Sequence, residues 1–441
     1  MRSRSSRSFR LVVASATLVF VVLGSTTAGA GSGGGEQLTA TDVGVTPEEI
    51  RIAVVADVEN PLVPGFFAGS VAGVEGAAKY INADGGIAGR KVVVDFIDSH
   101  LSADDARNAV IEACAEDFAL VGTSALFLNN VDDMVGCVDK EGAPTGIPDI
   151  PLVVTEVVQQ CSPVSFPINP PNLICDTRDE HPQKYRVNTS EIPYFQEEYG
   201  ELKGYFLVPN DLKSATDSTL VAIAGIEAAG VENLGQTSLS LMSPRTAFTP
   251  AVQAIKDTGA NYVFGRLPFP PLRQEAKVQG ATDVEVWDCE LPCYDEGVID
   301  EGGQDIEGQY VRLQFLPFDE TKSNKMLANF IKYTDPDNTD GFAPQAFAAM
   351  LAFREAAEAV VEKGGDDALT RAAVLDALEQ VNDFDADGMI APVDLGDRRI
   401  IGCGIVMQIQ DGEFVRVHPK KAGTFACSKK NVQVVELDLQ R

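Results

Sequence analysis

From residue 50 onward, apolar runs of strand length alternate with amphipathic stretches of helix length, and this alternation constrains the fold more than any other feature. Residues 50–56 (I-R-I-A-V-V-A) are apolar and short enough for a strand. Residues 66–81 carry apolar side chains at helical spacing and stop at Asn82-Ala83-Asp84-Gly85-Gly86. Residues 91–97 read as a strand and 103–116 as an amphipathic helix, with Asp104 and Asp105 in the first turn, where the helix dipole favours acids. Residues 118–122 read as the next strand. Strands that alternate with helices imply βαβ units and parallel sheets, an α/β fold.

The rhythm breaks over 142–182, a proline-rich stretch that reads as a long insertion loop; loops of that length are usually functional or irregular. It restarts with strands predicted at 203–208, 239–242, 261–265 and 284–288 and an extended run at 310–315. Helices over 216–229, 250–258 and 272–279 lie between them. Two helices, 346–362 and 370–381, precede a hairpin, 404–409 and 414–417, around Asp411-Gly412.

The first thirty residues stand apart. Arg2, Arg4, Arg7 and Arg10 precede an uncharged run of 13 residues, 11–23, and then Ala28 and Ala30 in an A-x-A arrangement. These are the parts of a secretory signal peptide cleaved near Ala30. The run is short of the roughly 20 residues that a membrane helix needs. The arginines are not adjacent, and no cysteine near the cleavage site could take a lipid anchor. Residues 31–47 read as a flexible Gly-, Ser- and Thr-rich lead-in. The expected destination is a periplasm or the medium. A net charge of −30 excludes nucleic acid and anionic lipid as natural partners.

Eight cysteines in an oxidising compartment imply disulfides. Connectivity is not fixed by sequence. The cysteines fall into local couples, and sequential pairing is expected: Cys114–Cys137, Cys161–Cys175, Cys289–Cys293 and Cys403–Cys427. Closing a loop of ~20 residues contributes about 3 kcal/mol in the chain-entropy picture.

Catalytic motifs are missing from the sequence: there is no G-x-S-x-G, H-E-x-x-H or phosphate-binding G-x-x-x-x-G-K-[ST]. The three histidines are scattered, so an enzyme is not expected, and neither is a cofactor. Asp383, Asp385 and Asp387, with Asp394 at position twelve, match the spacing of a calcium loop. An Asp stands at position twelve where Glu is usual, and Pro392 and Gly396 favour a plain turn, so no metal site is expected there.

Residues 80–92 (Y-I-N-A-D-G-G-I-A-G-R-K-V) resemble the INAxGGIxGRK signature of type I periplasmic binding proteins. More narrowly, they resemble the branched-chain amino acid (Leu/Ile/Val-binding) receptors of ABC transporters. Residues 307–311 (E-G-Q-Y-V), 341–349 and 403–427 resemble later parts of the same family, so the resemblance spans residues 48–441. It implies a two-lobed fold of parallel sheets flanked by helices, joined by three hinge crossovers near 185–191, 310–318 and 391–395. Lobe one would be 48–187 plus 316–390, and lobe two 188–315 plus 391–441.

The resemblance also implies a ligand cleft. Thr123 and Ser124 match the turn that takes the ligand's carboxylate; a plain helix cap is the ordinary alternative. Thr155 matches a second hydroxyl. Phe66 and Phe342 match aromatic positions, where core packing is the ordinary alternative. Glu290 matches the acid that takes an ammonium group. Ser214 stands where those receptors have a tyrosine. Arg266 departs from their pattern and, facing a cleft, would suit a carboxylate or amide oxygen. The function implied is capture of a small polar ligand, an amino acid or amide, by a monomer that closes and docks on an ABC transporter permease. A ligand sensor of the same fold, or a secreted enzyme, is the alternative.

Overall fold

Strand β1 (Glu49–Ala56) is buried along almost its whole length, as a central strand covered on both faces must be. The computed structural model, which describes residues 38–60, 64–240, 242–266 and 269–439, builds a small parallel sheet around this strand and a larger, mixed one beyond. The smaller has the order β2-β1-β3-β4, with β2 Lys91–Asp98, β3 Ala119–Val121 and β4 Asp149–Ile150, all parallel. The expected signal peptide, its cleavage site and the start of the lead-in lie outside the described residues.

The next strand, β5 (Gln183–Asn188), leaves the small sheet and pairs antiparallel with the chain's last strand. The larger sheet then forms from β6 (Lys203–Pro209), β7 (Glu232–Leu239), β8 (Tyr262–Gly265), β9 (Val286–Cys289) and β10 (Tyr310–Leu313). It is completed antiparallel by β11 (Cys403–Gln410) and β12 (Glu413–His418), in the order β12-β11-β10-β9-β8-β6-β7. Short β13 (Ala426–Cys427) pairs with β11, and β14 (Val432–Leu437) is the partner of β5.

Between β10 and β11 the chain returns to the small sheet as helices Lys325–Tyr333 and Ala343–Gly364. The long helix packs on helix Ala68–Ala83, and the sequence shows why it can. Gly69, Gly73 and Gly76 form one stripe at helical spacing. A Cβ on Gly73 would lie 2.2 Å from the Ala343 carbonyl oxygen, and one on Gly69 would overlap the Asp340 carboxylate. This close approach fixes the starts of both helices side by side.

Three expectations change. Strand 239–242 is in fact β7, ending at Leu239: its polar sequence E-N-L-G-Q-T-S-L suits an edge strand and gives no apolar run to read. The insertion 142–182 is not all loop, because it supplies β4 and the helix Val157–Gln160. The described part of the lead-in is packed rather than flexible. Buried Arg90 donates to the carbonyls of Thr39 and Thr46, and Asp42 accepts from the Arg371 amide at 2.7 Å. The cysteines pair sequentially, with Cα separations of 5.7, 5.5, 6.0 and 4.1 Å in chain order.

Candidate ligand-binding cleft

The carboxyl ends of both sheets face one cavity of about 370 Å³. Ligands of open α/β sheets bind at such ends. The small-sheet wall is mainly apolar. Phe66 and Phe67 precede the glycine-striped helix, and Phe342 precedes its partner, where Asp340 accepts from the Phe342 amide at 2.8 Å. The close helix packing therefore sets three rings together: Phe66 and Phe67 lie edge-on to Phe342 with centroids 5.7 and 5.0 Å away. Val153 and Val154 continue this wall. Half-buried Thr155 also lines the cavity, but its hydroxyl donates to the Leu126 carbonyl at 2.9 Å.

Thr123 and Ser124 do not line the cavity. Both are fully buried behind Leu126, which does. The Thr123 hydroxyl donates to Asp149 at 2.8 Å, and the Ser124 hydroxyl bonds Ser70 at 2.9 Å and Gly122 O at 3.0 Å. The turn is held in this pose by Asp57, whose carboxylate accepts from the Leu126 amide at 2.8 Å, the Leu101 amide at 2.7 Å and the Ser99 hydroxyl at 2.6 Å. Asp149 also accepts from Ser165 and Gln159, yet burial still pushes its pKa up to about 6. The hydroxyls expected to receive a ligand thus serve to satisfy a buried acid and a buried turn.

The large-sheet wall is charged. Glu290 directly follows β9 and is held by the Cys289–Cys293 disulfide around it. One of its oxygens accepts from Arg266 Nε at 2.6 Å, just past β8, and the other from Arg312 Nη2 at 2.8 Å, on β10. Arg312 also lies 3.2 Å from Glu191 and donates to the Asn188 carbonyl beside it. Burial acts to raise the Glu290 pKa, but the two guanidiniums outweigh it and hold this carboxyl below its usual range. Burial raises Glu191 against the pull of Arg312. It also raises Asp288, which accepts from the Tyr262 hydroxyl at 2.6 Å, well above the usual range.

A family model described as Periplasmic binding protein matches residues 49–413. The chain belongs to this family. No curated protein matches the chain in sequence. Solved structures similar to this family member include the leucine-, isoleucine-, valine-, threonine- and alanine-binding protein from Brucella ovis in its closed conformation. It is 17% identical with a TM-score of 0.65, covering 84% of this chain and 94% of that one. A branched-chain amino acid transporter substrate-binding protein from Streptococcus pneumoniae, in complex with isoleucine, is 16% identical (TM-score 0.64, 84% and 100% covered). A fatty acid ABC transporter substrate-binding protein from Thermomonospora curvata is 14% identical (TM-score 0.65, 88% and 95% covered). At these identities the likeness is one of fold.

Other expected residues of this periplasmic binding protein fall as follows. Phe66, Phe342, Thr155, Glu290, Ser214 and Arg266 all border the cavity. Asp383, Asp385 and Asp387 do not gather with Asp394, which is spent on Arg399 at 2.6 Å and on the Asp397 amide. Among the described residues, one trio of His, Cys, Asp or Glu brings ligating atoms within 4.8 Å: Glu59, Asp98 and His100. There Asp98 accepts from the Val58, Glu59 and His100 amides, which accounts for its place at a loop junction. Three cleft residues escaped the sequence reading: Arg312, Glu191 and Gln345. Gln345 is 4% exposed, and its Oε1 has no partner among the described residues. Arg312 left a trace, a charge inside the extended run Y-V-R-L-Q-F.

Proposed function

We propose that this protein is the solute-capturing component of an ABC importer, working outside the cytoplasm. One observation carries the reading: a single cavity receives apolar side chains from the small-sheet side and charged ones from the ends of β8, β9 and β10. Two lobes, 48–187 plus 316–390 and 188–315 plus 391–441, would close on the solute, which must bind the closed form better to shift the balance. The closed monomer then docks on a membrane permease, and no bond of the solute is made or broken. Four disulfides and the family suit an exported protein.

Amino acids remain a class to test, because two of the similar structures are described as amino acid carriers. The test is a thermal-shift screen of amino acids, amides and organic acids, with closure followed by small-angle X-ray scattering. A true solute at 100 times its Kd adds about 2.7 kcal/mol of stability. A stabilising solute that also shrinks the radius of gyration supports capture by closure. Stabilisation by none of the panel, with no compaction, removes the proposal.

A further inference from the structure

We infer that the solute is a monocarboxylate with a compact apolar body and no ammonium group, its carboxylate seated on the fork of Arg266. This rests on the reading of the cavity as the solute site.

The Arg266 side chain is 25% exposed and borders the cavity. It uses Nε on Glu290, and its two terminal NH groups have no acceptor among the described residues. A guanidinium fork matches a carboxylate with two parallel hydrogen bonds, so an unspent fork at a half-buried site is a place for one. An ammonium group meets no unpaired carboxylate beside the cavity among the described residues; Gln345, whose Oε1 has no partner there, offers only a neutral acceptor. The acids that border the cavity are Glu290 and Glu191. Glu290 already faces two guanidiniums, one on each oxygen, and Glu191 is 4% exposed against Arg312. A third cation beside Glu290 would meet both arginines as like charges. Burial raises the Glu191 and Asp288 carboxyls above their usual range, while the two guanidiniums hold Glu290 below it.

Much of the remaining lining is apolar and suits an apolar body, with Ser214, Ser218, Gln314 and Gln345 among the polar residues beside it. Phe66, Phe67, Val153, Leu212, Phe342 and Ile401 line the cavity, and the hydroxyls of Thr123 and Ser124 are out of reach. About 370 Å³ lies near the low end of the roughly 300–1,000 Å³ of small-molecule sites, so the body is short or branched.

The experiment is calorimetric titration of the whole exported protein with probes that differ by one charged group. Leucine is compared with 4-methylpentanoate, which lacks the ammonium, and 3-methylbutylamine, which lacks the carboxylate. Straight-chain acids from butanoate to octanoate and phenylacetate complete the panel. The expected result is a monocarboxylate that binds at least tenfold tighter than leucine, with no binding of the amine. Arg266→Met should weaken that acid at least tenfold. Arg266→Lys, which keeps the charge opposite Glu290 and so protects the fold, should weaken it as well by losing the fork. Leucine binding as tightly as any acid, or both Arg266 variants binding the acid unchanged, would overturn the inference. A neutral or cationic solute that binds and compacts the protein overturns the carboxylate class but keeps solute capture. No binding or compaction with any probe removes both.

Discussion

The two walls of the cleft are built on opposite plans. On the small-sheet side, every hydroxyl near the cavity is spent inward: Thr123 on Asp149, Ser124 on Ser70 and Gly122, Thr155 on the Leu126 carbonyl. What else lines the cavity on this side is mainly carbon, with Gln345, whose Oε1 has no partner among the described residues, as the polar exception. On the large-sheet side, the polar groups point at one another along a ladder, Glu191–Arg312–Glu290–Arg266, that runs from the β5 crossover to the end of β8. The difference assigns different work to each wall. On the proposed reading, the apolar wall would contribute affinity through desolvation, which is not directional. The charged wall would set which head group is accepted and in which orientation. Arg312 also donates to the Asn188 carbonyl at the end of β5, so on the proposed reading the ladder would tie ligand recognition to a crossover between lobes.

The hardest blow to the charged wall is Arg312→Met. It would leave Glu191 and Glu290 buried without their shared partner, and breaking a buried pair costs about 3–5 kcal/mol. Chemical denaturation should show a loss of that order. A loss under 1 kcal/mol would mean that the ladder is solvated and that the walls differ less than their geometry implies.

The small-sheet wall has its own buried charge, and pH separates it from the cleft. The Asp149 pKa is raised to about 6 in the folded protein by burial, against an ordinary value near 4 when unfolded. Between those values the unfolded chain releases the proton first. Stability contributed by the neutral carboxyl is therefore full below about pH 4 and is lost as pH rises to about 6. The loss is at most about 3 kcal/mol. Asp149→Asn, which keeps an acceptor for Thr123, should flatten this part of the pH–stability profile while leaving solute affinity unchanged. A profile identical to wild type would show that water reaches Asp149.

Phe342→Ala probes the apolar wall directly. The ring is half-buried and edge-on to two others. Removing it should weaken the bound solute by about tenfold, on the scale of ~1.5–3 kcal/mol for a fully buried phenylalanine. The salt dependence of binding should stay the same, since the charged wall is untouched. A changed salt dependence would show that the walls are coupled.

Much of this architecture was legible because its determinants are local. The β1 and β2 runs, the Ala103–Glu116 helix with Asp104 and Asp105 in its first turn, and the signature at residues 80–92 each carry their own pattern. Where the reading failed, the determinant was distant. β7 is an exposed edge strand with no apolar run, and β14 takes its meaning from β5, more than two hundred residues earlier. The cleft followed the same division. Phe66, Phe342 and Glu290 could be placed by counting from a motif, because spacing is a local property. That Glu290 is claimed by two arginines could not be counted out, since Arg266, Glu290 and Arg312 meet only when β8, β9 and β10 align. Nor could the inward rotation of Thr123, which depends on an acid 26 residues away in what read as an irregular insertion.

The smallest expected effect is the most discriminating. In the family's pattern the Ser124 hydroxyl would touch the ligand, and its loss would abolish binding. Here that hydroxyl is fully buried and bonded to Ser70 and Gly122. Ser124→Ala should therefore lower stability by about 1 kcal/mol, the worth of one ordinary hydrogen bond with a Ser70 hydroxyl left to find another partner. It should leave solute affinity within about twofold, a change of ~0.4 kcal/mol. Paired denaturation and titration of the same variant read the two numbers separately. A loss of affinity larger than the loss of stability would mean that closure rotates this turn into the cavity and that the small-sheet wall becomes polar when the solute binds. Equal affinity with reduced stability would fix the wall as carbon in both states and leave recognition to the arginines opposite.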